Sequence, residues 1–195
     1  SCAALFASLA LAELWIGGPQ HLEGPAQMRW LFEPDAEVGY RTASNCDKTM
    51  LDGGRAVRVR FNGVGMRGPN YPAKQPDEKR VLFLGDSMTF GLGLEEDEAF
   101  PAQFARQATT AWGVAVTAGN AAAPSLGTRD FAPFVGRVRM AFAPDLIVAV
   151  VYLGNDFFDN FAHDRTVIDG YPMDGWAARL AKTSWRARLC LRYGV

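Results

Sequence analysis

Gly85-Asp86-Ser87-Met88-Thr89 follows directly on a continuous apolar run, Val81-Leu82-Phe83-Leu84, so a serine stands where a buried strand ends. A serine at a strand-to-helix turn projects its hydroxyl out of the sheet, free to attack a substrate. The neutral hydroxyl is a weak nucleophile and needs a nearby base. The attack also needs donors for the developing oxyanion, backbone N–H groups or an Asn amide, each worth about 3–4 kcal/mol when removed. Two further stretches qualify: Gly119-Asn120 leading to Pro124-Ser125-Leu126-Gly127-Thr128, and Gly154-Asn155-Asp156. Asn155, two positions beyond the run Leu146–Leu153, is the candidate side-chain donor. Gly85, Gly127 and Gly154 let a substrate approach the backbone. Residue types and spacing point to acyl transfer through Ser87.

The elements that must position these stretches alternate regularly. Val81–Leu84 has the unbroken apolar character of a strand buried on both faces of a parallel sheet. Phe100, Phe104 and Ala108 at i, i+4, i+8 predict a helix over about Ala99 to Trp112, and Val114-Ala115-Val116 predicts a second strand. Phe131, Phe134, Val135 and Val138 predict a helix over about Asp130 to Phe142; Pro144-Asp145 then introduces a third strand, Leu146–Leu153. Strand-helix-strand-helix-strand at these lengths implies right-handed crossovers and helices on both faces. The expected fold is three-layer α/β/α, with a parallel, flavodoxin-like doubly wound sheet that is incomplete at the C-terminus. In such sheets ligands sit beyond the carboxyl ends of the strands, where all three motifs fall.

The preceding sequence divides in two. Residues 1–16 are apolar except for Glu13, until Gly17-Gly18-Pro19 stops the run. At 1.5 Å per residue they reach about 24 Å, short of a roughly 30 Å hydrocarbon core. The expectation is the remnant of a signal-anchor holding the rest outside the cytoplasm, periplasmic or at the cell surface; a buried amphipathic helix is the alternative. Residues 17–78 form a leader rich in Gly, Pro, Asn and Asp. In it Arg55, Arg58 and Arg60 interleave with apolar positions such as Val57, Val59 and Phe61 as in a half-exposed strand, and Asn62–Pro69 needs a permissive backbone. Residues 79–195 form the α/β domain. Near its end, Trp176–Tyr193 carries five basic residues among leucines, the pattern of an amphipathic helix with a solvated basic face.

Over the 195 residues, 20 Lys+Arg against 21 Asp+Glu leave a net charge of -1, without the basic excess of nucleic-acid binders. Cys2, Cys46 and Cys190 form no Cys-x-x-Cys pair and allow at most one disulfide. Gly85, Gly91 and Gly93 lack the dinucleotide spacing. Asp86, Asp156 and Asp159 lack the Asp-x-Asp spacing and the glycine loop of a Mg²⁺ phosphotransfer site. No cofactor or metal is expected, and Asp86 reads as a hydrogen-bond acceptor in its turn.

Taken together, the three motifs resemble the SGNH (GDSL-like) hydrolase superfamily over about Asn62 to Asn160. Gly85-Asp86-Ser87 looks like its first block, with Met88 where Leu gives the family its name, and Phe90-Gly91-Leu92-Gly93, the Glu-rich run and Phe100-Pro101 match the usual continuation. Gly154-Asn155-Asp156 looks like the third block. In the second, Ser125 stands where the family places a glycine whose N–H is an oxyanion donor, with Gly127 two residues on. The resemblance implies a serine esterase acting on acyl or acetyl esters, on small molecules or saccharides, through an acyl-enzyme on Ser87. The N–H groups of Ser87 and Ser125 and the Asn155 amide would form its oxyanion hole. The family's base is a histidine in a late Asp-x-x-His block. Neither His21 nor His163 stands in such a block. The expectation is that the chain is truncated before that block and inactive as it stands. A polysaccharide O-acyltransferase on the same scaffold, or a non-catalytic carbohydrate-binding or assembly domain, remain as alternatives.

Overall fold

The computed structural model describes residues 30–36, 39–124, 126–154, 156, 160, 166–168 and 171–173. Residues 1–16 and the basic stretch 176–193 lie outside the described residues. Among those described, no helix is long and apolar enough to cross a membrane.

Two antiparallel hairpins come first. β1 (Phe32–Asp35) pairs with β2 (Gly39–Thr42), and β3 (Cys46–Asp52) with β4 (Arg55–Phe61). Gly53 and Gly54 join the second pair, both with positive φ, as a two-residue loop matching the strand twist requires. β4 alternates as predicted: Val57, Val59 and Phe61 point into the core, and Arg58 points outward.

The parallel sheet follows. β5 (Lys79–Gly85) lies in the centre, with β6 (Val116–Ala122) on one side and β7 (Leu146–Ala149) on the other, both parallel to it. Between β5 and β6 come a single turn, α1 (Ser87–Phe90), and a full helix, α2 (Phe100–Trp112). A short 3₁₀ turn (Thr128–Asp130) and α3 (Phe131–Phe142) join β6 to β7. With β6 and β7 on opposite sides of β5, right-handed crossovers carry α2 and α3 to opposite faces. Val81 and Phe83 face α2, and Phe100 and Phe104 meet the Phe83 ring edge-on at 5.4 and 5.2 Å. Leu82 and Leu84 face the other way, into a cluster with Phe134, Val138 and Phe142 of α3. The central strand is covered on both faces, whereas β7 at the edge leaves Leu146 and Ile147 exposed; the order is the 2-1-3 that begins a flavodoxin-like fold. A last hairpin, β8 (Thr166–Ile168) with β9 (Tyr171–Met173), packs Val167 against the same cluster.

The described part of the leader is built into this core. Leu31, Met50, Val57, Val59, Phe61 and Met66 share the cluster of Leu82, Leu84 and Phe142. At about 1.5–3 kcal/mol for each large apolar side chain buried, the hairpins contribute heavily to the stability of the sheet they cover. Arg67 joins them to it through the backbone, bridging Phe61 at the end of β4 to Asn120 in β6.

Two strand expectations are corrected. The second strand is Val116–Ala122, not Val114–Val116, and it runs through Gly119-Asn120. Helix α2 ends at Gly113, in the left-handed region, and the Thr109 hydroxyl accepts the Val116 N–H, so Val114-Ala115 is spent on the connection. Small residues then suit a strand with bulky neighbours. Met66 and Phe142 lie so close to Gly119 that a β-carbon there would fall 2.5 Å from the Met66 methyl and 2.9 Å from the Phe142 ring. The third strand ends at Ala149, not Leu153. Only the Val150 N–H, donating to the Leu84 carbonyl at 2.9 Å, extends it. β5 turns into α1 after Gly85, so the chain beyond Val150 has no ladder left to join.

Candidate functional site

Helix α1 has only one turn, too short to be stable by itself. Asp86 caps its start, accepting the Met88 N–H at 2.9 Å, and Gly91 ends it with φ 78°. Ser87 occupies the first position, half-buried. Met88 beside it is 63% exposed, and Thr89 and Phe90 are buried. The turn therefore anchors its second half in the core and presents Ser87 and Met88 outward. Among the described residues the Ser87 hydroxyl has no hydrogen-bond partner.

The two neighbouring strands end level with it. The Ala123 N–H donates to the Gly85 carbonyl at 3.2 Å, and the Val150 N–H to the Leu84 carbonyl on the other side. Gly85, Asp86 and Ser87 thus sit at the carboxyl end of the central strand, flanked by the exits of β6 and β7. Gly85 has to be glycine for packing, since a β-carbon there would fall 2.6 Å from Thr89 Cβ.

In the second stretch the Gly127 N–H and the Tyr40 hydroxyl both donate to Asp130 Oδ2, at 3.1 and 3.3 Å. Gly154 is exposed, whereas Asp156 is fully buried and accepts the Tyr152 N–H at 2.8 Å. Asn160 ties the third stretch to the second: its amide donates to Thr128 Oγ1 at 2.8 Å and accepts the Arg129 N–H at 2.9 Å. Ser125 and Asn155, the two other expected oxyanion donors, lie outside the described residues, as do Asp159, His21 and His163.

Two residues outside the expected catalytic and oxyanion set hold α1 in place. The Asn120 amide donates to the carbonyls of Thr89 and Phe90, at 3.1 and 3.2 Å, while its oxygen accepts the Ala122 N–H. Arg67, 2% exposed, donates through Nη1 to the Phe90 and Gly91 carbonyls, at 2.5 and 2.8 Å, and through Nη2 to the Leu94 carbonyl. Its guanidinium also lies over the Phe90 ring, 4.6 Å from the centroid. A helix leaves its last carbonyls without intrahelical donors, and a cation there is favoured by the helix dipole. Burial pulls the Arg67 pKa below its ordinary value, against the opposing field of Glu96 and Glu95. Arginine nevertheless stays protonated in proteins. Two sequence signals pointed to these residues: an arginine between glycines that both adopt positive φ, Gly65 and Gly68, and an asparagine inside a strand of Ala and Gly.

Among the described residues, no group of three or more His, Cys, Asp or Glu side chains is placed to hold a metal ion. A small cavity lies between the first hairpin and the second stretch, lined by Phe32, Tyr40, Thr42, Ala123, Leu126 and Phe134. Comparison with family models, curated proteins and solved structures finds no match to this chain.

Proposed function

We propose that this chain carries the nucleophile of a serine esterase of the SGNH (GDSL-like) type, acting on acyl or acetyl esters of small molecules or saccharides. The observation that carries the reading is Ser87 itself. It is half-exposed on a capped one-turn helix at the carboxyl end of the central parallel strand, between the exits of β6 and β7. In open α/β sheets that is where ligands bind.

In this reading the Ser87 oxygen attacks the ester carbonyl and passes its proton to a histidine base. The carbonyl oxygen becomes an oxyanion held by the Ser87 N–H, which at the first helical position has no intrahelical acceptor, and by Ser125 N–H and the Asn155 amide. Collapse expels the alcohol, which takes the proton back from the histidine and leaves an acyl-enzyme. Water, activated by the same base, then releases the acid and restores Ser87. Asp86 orients the turn by accepting the Met88 N–H. Residues 1–16 serve as a membrane anchor that keeps the domain outside the cytoplasm.

The test is covalent labelling of the native full-length protein by a fluorophosphonate, with the modified peptide identified by mass spectrometry. Label on Ser87, absent from Ser87→Ala, supports the esterase. An unlabelled wild type with saccharide binding that persists in Ser87→Ala would overturn it in favour of a binding domain on the same fold.

A further inference from the structure

Arg67 is unusual among the charged residues described. Arg55, Arg58 and Arg60 pair with carboxylates near the surface. Arg80, equally buried, has Glu78 at 2.9 Å. Arg67 has no carboxylate within ion-pair distance, and every hydrogen bond of its side chain goes to a backbone carbonyl: Phe90, Gly91 and Leu94. Those carbonyls belong to the end of α1 and the loop leaving it, which also holds Gly91 and Gly93 in positive φ. The main chain of Arg67 is fixed at the same time, its N–H donating to the Asn120 carbonyl at 2.9 Å, with Asn120 in turn gripping Thr89 and Phe90. Burying a cation without a counter-ion is costly unless its hydrogen bonds are made. A neutral apolar residue would fill the volume with less penalty, but would leave the Leu94 carbonyl without a donor and the Phe90 and Gly91 carbonyls with one donor each, from Asn120 and from the Leu94 N–H.

We propose that Arg67 is a positioning residue for the nucleophile: its guanidinium fork, delivered by the leader, fixes the far end of the one-turn helix and so sets where Ser87 stands. The inference rests on reading Ser87 as the nucleophile. Ser87 is three residues from Phe90 on a helix of one turn, so a slack end moves the serine as well. A displacement of about 1 Å at a reacting group can cost roughly a hundredfold in rate.

The experiment compares wild type, Arg67→Lys and Arg67→Ala in the native full-length protein, well below the unfolding temperature of each. The rate of fluorophosphonate labelling at Ser87 is read beside amide hydrogen exchange of Met88–Leu94. The expected labelling rate falls between about ten- and a hundredfold in Arg67→Lys, which keeps the charge but not the fork. Exchange rises in Met88–Leu94 while Leu82–Leu84 and Ala118–Ala121 stay protected. Added ethylguanidinium restores part of the rate to Arg67→Ala and nothing to Arg67→Lys. Wild-type labelling rates in Arg67→Lys, or losses that only follow global stability without rescue, would overturn the positioning role and leave Ser87 as nucleophile. No label on wild type would remove the nucleophile reading, and this inference with it.

Discussion

Gly85 and Thr89 face each other across the turn that carries Ser87, and there is no room between them for a methyl group: a β-carbon on Gly85 would lie 2.6 Å from Thr89 Cβ. The clash is with a buried residue of the same one-turn helix, so relief has to come from moving α1. Gly85→Ala is therefore expected to destabilise the fold by about 1–3 kcal/mol, the usual range for overpacking. It should also slow fluorophosphonate labelling of Ser87. Thr89→Gly in the same chain should recover part of both. Chemical denaturation and labelling rates on the two variants check this, and a double variant no better than Gly85→Ala would contradict it.

Gly119 stands in the same relation to Met66 and Phe142, across the junction of leader and sheet. Here one obstacle is the flexible end of a methionine. Gly119→Ala should cost about 1–3 kcal/mol. The pair Met66→Ala with Gly119→Ala should be less unstable than the two single losses added together, because the truncated methionine vacates the space the new methyl needs. Equilibrium unfolding of the four chains gives the coupling; strict additivity would mean the leader shifts as a body instead.

Glu78 lies beside Arg80 at the start of β5, accepting from the guanidinium at 2.9 Å, from the Gln75 N–H at 3.0 Å and from the Thr117 hydroxyl. Burial opposes its ionisation, but those donors outweigh it and hold the carboxyl at about 2. In the unfolded chain the group titrates near the ordinary glutamate value, so between there and about 2 the unfolded state binds more protons. Its contribution is fully present above the ordinary value and is lost as pH falls towards about 2. Glu78→Gln should flatten the stability–pH slope over that window and leave it unchanged at neutral pH. Thermal unfolding across the acid range reads the slope, and an unaltered profile would rule the assignment out.

The outer face of β4 is pinned to the acidic run after α1: Arg55 to Glu98 at 2.7 Å and Arg60 to Glu96 at 3.1 Å, with Glu95 accepting the Arg58 N–H at 3.0 Å. These pairs are open to water and screened by salt. Glu98→Gln should lower the unfolding midpoint slightly in low salt and not at all in high salt. Arg67→Lys, whose partners are buried carbonyls, should lower it in both. A salt-sensitive Arg67→Lys would mean that its guanidinium acts through Glu95 and Glu96 and not through the carbonyls.

Much of this arrangement was legible from residue pattern. The two helices fall within a residue or two of expectation, because Phe100, Phe104 and Ala108, and Phe131, Phe134 and Val138, repeat with the helical period and nothing competes with it. Val81–Leu84 read as a doubly buried strand because both faces are apolar, and it is the central one. β6 was misplaced because period and apolarity mark Val114–Val116, whereas a strand of Thr, Ala, Gly and Asn carries no such mark. Its residues are small because Met66 and Phe142 occupy the space beside them. The role of Arg67 and Asn120 in holding α1 was not legible for a similar reason. Their partners are backbone carbonyls, which every residue has and no spacing reveals.

The sequence by itself determined the local chemistry: a serine after a buried strand, an aspartate able to cap the turn, glycines where φ must be positive, and the periods of the two helices. These follow from interactions between residues near one another in the chain. Tertiary structure alone decided that β6 and β7 flank β5, that the leader's hairpins complete the core on the Leu82–Leu84 face, and that an arginine 20 residues before Ser87 supports its helix. Those are relations between distant segments, settled by which apolar faces cover one another and which buried carbonyls find a donor.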